Sequence, residues 1–153
     1  MTAAYANETT EKIGINLVRH CFAAYAAKDR RALEALLAAD FTFTSPLDDR
    51  ISRAEYFARC WPNSETMDTI HLEQTLAEGD EVLVLYLCEQ TDGKVFRNVE
   101  HFKIEGRKIK SVNVYFGREL TSYSRTTPAT FLTAVPSTPA LVKNSSAPAL
   151  SST

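Results

Sequence analysis

Apolar residues recur along this chain in two rhythms: a period near 3.6 in the first third, and a period of two through the middle. Ile13, Leu17, Cys21, Phe22 and Tyr25 stand three or four residues apart, which predicts a first helix over about Glu8 to Lys28. Asp29 is placed to cap a second, shorter helix carrying Leu33, Leu36 and Leu37. Asp40 then opens the alternating strand Phe41-Thr42-Phe43-Thr44, which ends at Ser45-Pro46. Pro46 has no amide hydrogen and cannot extend a central ladder, so a turn is expected after it. Ser52 and Glu55 have capping-box spacing and predict a third helix with Phe57 and Trp61 one turn apart, which Pro62 helps to end. Asn63 to Met67 reads as a linker.

From Asp68 to Gly117 the pattern becomes four strands joined by three glycine turns, at Glu78-Gly79-Asp80, Asp92-Gly93 and Glu105-Gly106. That spacing predicts an antiparallel meander. In the strand Val95 to Lys103, side chains sharing a face with Phe96, Phe102 and Ile104 include Asn98 and Glu100, because strand side chains alternate. A carboxylate and an amide among phenylalanines point to a lined cavity rather than plain core. Val82 to Cys88 is apolar at every position, so this strand is expected to be covered on both faces, by the helices on one and by a second copy on the other. Helices covering one face of a sheet define an α+β domain.

At 153 residues the chain is one domain's worth, long enough to bury a sizeable core. A net charge of −2 offers no electrostatic reason to expect nucleic acid or an anionic membrane as partner. The basic residues Arg107, Lys108 and Lys110 sit at a hairpin and read as a solvated turn. The opening residues lack the apolar core of a secretory signal, and no apolar run is long enough for a bilayer. Three cysteines, Cys21, Cys60 and Cys88, without paired motif spacing fit free thiols in a reducing compartment, with the cytoplasm as the default. The domain is expected over 1–120. Ser, Thr, Pro and Ala dominate 121–153, which reads as a disordered tail unable to offset its ordering entropy.

The stretch Phe96-Arg97-Asn98-Val99-Glu100-His101-Phe102, then Gly106-Arg107-Lys108-Ile109, closing at Tyr115-Phe116-Gly117, resembles the signature of the SnoaL-like proteins. These belong to the nuclear transport factor 2-like superfamily, with ketosteroid isomerases, scytalone dehydratase and polyketide cyclases. The resemblance implies a cone-shaped fold, three N-terminal helices packed on a curved, mainly antiparallel sheet around a deep pocket, usually dimeric. The same scaffold hosts enzymes, binding modules and interaction domains, so it does not settle function. Steroid isomerases use a helix 1 tyrosine, an aspartate base before the proline after strand 1, and a protonated aspartate on the penultimate strand. By local spacing these positions are Cys21, Ser45 and Glu100 here, and only the last is acidic. The last-strand aspartate of SnoaL-type cyclases is also missing, since that strand reads Val112-Asn113-Val114-Tyr115-Phe116-Gly117.

Glu100 is therefore the leading candidate for chemistry. A carboxylate facing Phe96 and Phe102 loses hydration, which should raise its pKa and suit it to general acid–base work. The competing reading places it near the pocket mouth or makes it a structural ion pair with Arg97, Arg19 or His20. Asn98 is placed to orient a substrate carbonyl or to bond Glu100, or else is a satisfied amide bonded to the third helix. Cys21, Phe43, Ser45, Phe57, Trp61, Tyr86, Phe102, Val112, Val114 and Phe116 are the candidate substrate-binding wall. Asp48 and Asp49 read as a solvated turn, with the option of reaching the pocket mouth. His71 and His101 point away from Glu100, and His20 cannot pair with its neighbour Cys21. No metal-ligand spacing, phosphate loop or nucleotide fingerprint occurs, so neither metal nor cofactor is expected. The expected ligand is a small apolar molecule with a carbonyl or hydroxyl group. It would be turned over by an isomerase, dehydratase or cyclase step, or else held by a non-catalytic binding, dimerisation or interaction module.

Overall fold

The computed structural model describes residues 3–123, with side chains from Thr9 onward. The tail expected beyond residue 120 lies, apart from its first three residues, outside the described residues. Helix α1 spans Ala3–Ala26 and α2 spans Arg30–Leu36, with the Asp29 carboxylate accepting from the Ala32 amide as the expected cap. Strand β1 spans Leu37–Ser45, β2 Asp48–Ser52 and helix α3 Arg53–Arg59, followed by a 3₁₀ segment over Trp61–Thr66. The meander is β3 Met67–Glu78, β4 Glu81–Gln90, β5 Val95–Glu105 and β6 Lys108–Glu119.

These six strands form one sheet in the order β2-β1-β6-β5-β4-β3. All neighbours run antiparallel except β1 and β6, which are parallel. The two-residue turn between β5 and β6 holds both Gly106 and Arg107 at positive φ, the backbone that suits a tight hairpin to twisted strands. Register shifts in β3 at Leu72/Gln74 and in β6 at Phe116/Glu119 and Ile109/Ser111 mark bulges, which bend strands. The bent sheet leaves a concave face, over which α1 and α3 lie. Gly14 lets α1 approach β4, since a Cβ there would stand 3.0 Å from a Val82 methyl. Val18 and Phe22 of α1 meet Val82, Val84 and Phe102 in one buried core.

Three local expectations need correction. Leu37 begins β1 rather than ending α2, because it pairs with Ile109 of β6. The segment after Pro46 is not only a turn: Asp48–Ser52 is an edge strand whose sole buried residue is Ile51. Helix α3 stops at Arg59, so Trp61 opens the 3₁₀ turn instead of continuing the helix. On β4 of the single chain Val82, Val84, Tyr86 and Cys88 are buried on the inner face, while on the outer face Leu87 is buried and Leu83 is 43 % exposed. The capping box is present in full, with the Glu55 amide donating to Ser52 Oγ and the Ser52 amide to the Glu55 carboxylate.

Candidate functional site

The concave face encloses a cavity of about 510 Å³, bounded by α1, β1, the end of α3, and β3 to β6. Exposure runs along its walls as in a cup. On β5 the inner side chains pass from half-buried Phe96 through Asn98 and Glu100 to fully buried Phe102. On β6 they pass from Phe116, 51 % exposed, to buried Val114 and Val112. The mouth therefore lies at Phe96, Phe116 and the exposed Leu47, and Phe22, Phe41 and Phe102 line the deep end.

Glu100 sits midway down this wall. The Tyr86 hydroxyl, on the neighbouring strand, donates to Glu100 Oε1 at 2.8 Å. Asn98 Nδ2 donates in turn to the Tyr86 oxygen at 3.1 Å, and the Gly117 amide donates to Asn98 Oδ1 at 3.0 Å. The backbone amide thus fixes which end of the Asn98 side chain faces Tyr86, and the chain of bonds aims the phenol at the carboxyl. Gly117 is required for this closeness, because a Cβ there would stand 1.9 Å from the Arg97 carbonyl oxygen. The second carboxyl oxygen of Glu100 has no partner among the described residues and is the atom left for a ligand.

Burial pushes the Glu100 carboxyl from its ordinary 4.5 up to about 7, against the opposing pull of the Tyr86 hydrogen bond. Its remaining accessible surface faces the cavity, which is wide enough to admit water. Burial and the nearby Glu100 charge push Tyr86 well above the usual phenol value, so it acts as a hydrogen-bond donor at neutral pH. The same two causes raise Cys21 on α1, which remains a thiol. The ion-pair alternatives for Glu100 are not formed. Arg97 instead binds Glu73 at 2.8 Å on the outer face, and Arg19 and His20 are exposed. His71 pairs with Glu89 and His101 with Glu81, both away from the cavity.

Of the residues singled out in sequence, Cys21, Phe43, Ser45, Tyr86, Asn98, Glu100, Phe102, Val112, Val114 and Phe116 all line this cavity. Phe57 and Trp61 do not, and their placement is a correction. The cavity-facing pair is Tyr56 on α3 and Cys60 at its C-cap, one residue earlier at the same spacing. Phe57 turns toward the Arg30 and Arg53 guanidiniums, 4.8 and 5.5 Å from its ring centre, while Trp61 packs edge-on to Tyr25. Along this short helix and the turn after it the apolar positions are 56, 57, 60 and 61, and spacing alone does not say which pair turns inward. Asn98 bonds Tyr86 and the β6 backbone rather than the third helix.

Asp48, which the sequence favours as a solvated turn with the option of reaching the pocket mouth, is part of the wall. Its side chain is only 10 % exposed and lines the cavity beside Ser45 and Cys60, with Arg59 paired to Oδ1. Among the described residues no group of three or more His, Cys, Asp or Glu side chains could hold a metal ion. None of the described helices is long and apolar enough to cross a membrane.

Solved structures share this architecture at low sequence identity. A putative ketosteroid isomerase from Kribbella flavida matches with TM-score 0.63 and 18% identity, over 83% of this chain and 93% of its own. An LEH-like epoxide hydrolase from M. tuberculosis matches with TM-score 0.60 and 18% identity, over 69% of this chain and 84% of its own. An NTF2-like protein of unknown function from Cytophaga hutchinsonii reaches 24% identity and TM-score 0.57, over 67% of this chain and 88% of its own. These likenesses establish the nuclear transport factor 2-like fold. No curated protein matches the sequence. The SnoaL-like domain model matches residues 18–112, from α1 into β6 and across Tyr86, Asn98 and Glu100, and the chain therefore belongs to the SnoaL-like family.

Proposed function

We propose that this protein binds a small, largely apolar organic molecule with a carbonyl group in its cavity, and that Glu100 moves a proton on the carbon next to that carbonyl. The observation that carries this reading is Glu100 itself: a carboxyl on the wall of an apolar cavity, one oxygen held by Tyr86, the other free, with its pKa raised to about 7. A carboxylate of that basicity takes a proton from an acidic carbon more readily than an ordinary one and still returns it at neutral pH. Tyr86, kept protonated, holds the carboxylate in place and partly neutralises it, and Asn98 positions Tyr86. Isomerisation, dehydration and cyclisation all share this proton transfer. One positioned base is worth about a hundred- to ten-thousand-fold in rate.

The bicyclic ketone 2-tetralone is a suitable probe, because its C1 protons are acidic and exchange in D₂O. Exchange followed by NMR should be accelerated by the protein and slowed at least about a hundredfold by Glu100→Gln. Binding of 2-tetralone with no acceleration, unchanged by the substitution, would leave a binding module and remove the catalytic role. A second copy is also part of the proposal. Leu76, Leu83 and Tyr115 on the outer sheet face are 57, 43 and 60 % exposed, which supports a homodimer joined through that face. The three free thiols fit a cytoplasmic setting.

A further inference from the structure

The cavity has a second polar pole. Asp48 opens β2, and its carboxylate lies against three groups. Arg59, in the last turn of α3, is paired in charge with Oδ1 at 2.5 Å but not in hydrogen-bond geometry, so that buried oxygen has no hydrogen-bond partner, and Oδ2 has only the Ser45 hydroxyl at 3.4 Å and the Cys60 thiol at 3.9 Å. A side chain nine-tenths buried with one oxygen served by contacts this long is under-bonded, and a hydrogen bond to a charged acceptor is among the stronger ones available. Burial and the Asp48 charge push the Cys60 thiol up to about 11, so it is a protonated, weak donor at neutral pH. Ser45 also accepts from the Leu47 amide, which ties its oxygen into the β1–β2 turn.

We infer that Asp48 is a specificity-determining residue that takes a hydroxyl of the ligand, so that the preferred ligand carries a hydroxyl remote from the carbonyl held near Glu100. This rests on the cavity being the ligand site proposed above. The geometry selects a neutral donor: Arg59 already balances the Asp48 charge, and an ammonium group brought to Oδ2 would meet the guanidinium beside it. The ligand class is then an apolar body with an acceptor at one end and an alcohol or phenol at the other.

The test compares 2-tetralone with its 6-hydroxy, 7-hydroxy, 6-methoxy and 6-aminomethyl derivatives, by calorimetry on the full chain. At least one hydroxy compound should bind about tenfold more tightly than the parent, while the methoxy and aminomethyl compounds gain nothing. Asp48→Asn should abolish most of that gain, and Ser45→Ala, which removes the competing donor, should keep or enlarge it. The carboxyl ¹³C resonance of Asp48 in the wild-type protein should move with the hydroxy compound and not with the methoxy one, a readout independent of any variant. If 2-tetralone binds but no hydroxyl improves it, or the gain survives Asp48→Asn, this inference is overturned and the ligand site stands. If no member of the series binds, both fall.

Discussion

Replacing Glu100 by Gln should stabilise the protein, and by an amount that depends on pH in one direction only. In the folded chain the carboxyl titrates at about 7, against an ordinary 4.5. Between those two values the native state holds a proton that the unfolded state has released, so wild-type stability falls as pH rises through this window. The cost is absent below about 4.5 and complete above about 7. At 1.36 kcal/mol per pKa unit the difference amounts to about 3 kcal/mol, a ceiling that water inside the cavity would lower. Gln keeps the shape and still accepts from the Tyr86 hydroxyl, but it has no charge to desolvate. The variant should therefore match wild type near pH 4 and exceed it by about 2–3 kcal/mol at pH 8. Urea unfolding of both proteins at several pH values from 4 to 8.5 measures this directly, and every other titrating group cancels in the comparison. A difference that stays flat with pH would mean the carboxyl is well solvated, and the argument for a tuned base would go with it.

Tyr86→Phe removes the one hydrogen bond that lowers the Glu100 pKa, so the pH at which 2-tetralone exchange reaches half its plateau should move upward from about 7. An unchanged midpoint in that pH–rate profile would detach Tyr86 from the carboxyl. Gly117→Ala drives a methyl group into the Arg97 carbonyl, and chemical denaturation should show a loss of at least about 1–3 kcal/mol together with a disturbed Asn98 amide resonance. Leu83→Asp on the outer face should turn a dimer into a monomer in sedimentation or light scattering, while 2-tetralone binding persists. A wild-type chain that sediments as a monomer refutes the dimer.

The meander was legible because its strands alternate and glycines punctuate them. The helices were legible because their apolar residues recur in register and two of them carry caps, Asp29 and Ser52, that the structure uses. Strand β2 was not. A five-residue edge strand with one buried side chain, Ile51, has no alternation to display, and its pairing to β1 comes from tertiary context. Leu37 misled for a similar reason: Leu and Ala favour helix, and the pairing with Ile109 overrides that preference. Leu83 belongs to an apolar run whose outer side chains range from exposed Leu83 to buried Leu87 in the single chain, so apolarity alone could not say what lies against each.

The site divides along the same line. Glu100 and Asn98 were conspicuous because a polar residue on an apolar strand face contradicts the pattern around it, and the structure places both on the cavity wall. Tyr86 was conspicuous only as an aromatic wall residue. Its role as the link between Asn98 and Glu100 depends on cross-strand register, which sets Tyr86 opposite Asn98 and Val84 opposite Glu100. Asp48 was the hardest to read, since two consecutive acids beside an arginine look like a solvated turn. Its neighbour Asp49 is indeed exposed. What separates the two is a bulge in β2, where Arg50 takes a positive φ and Asp48 comes opposite Ser45 while Ile51 stays opposite Phe43, in a strand that the sequence does not announce. A carboxylate that stands out against its own strand can be found from pattern. One that is buried by its neighbours in space, as Asp48 is by Arg59 and Cys60, needs the fold. A cup of this kind can therefore hold one polar pole that is readable from sequence and another that is not, and ligand selectivity would then reside in the second.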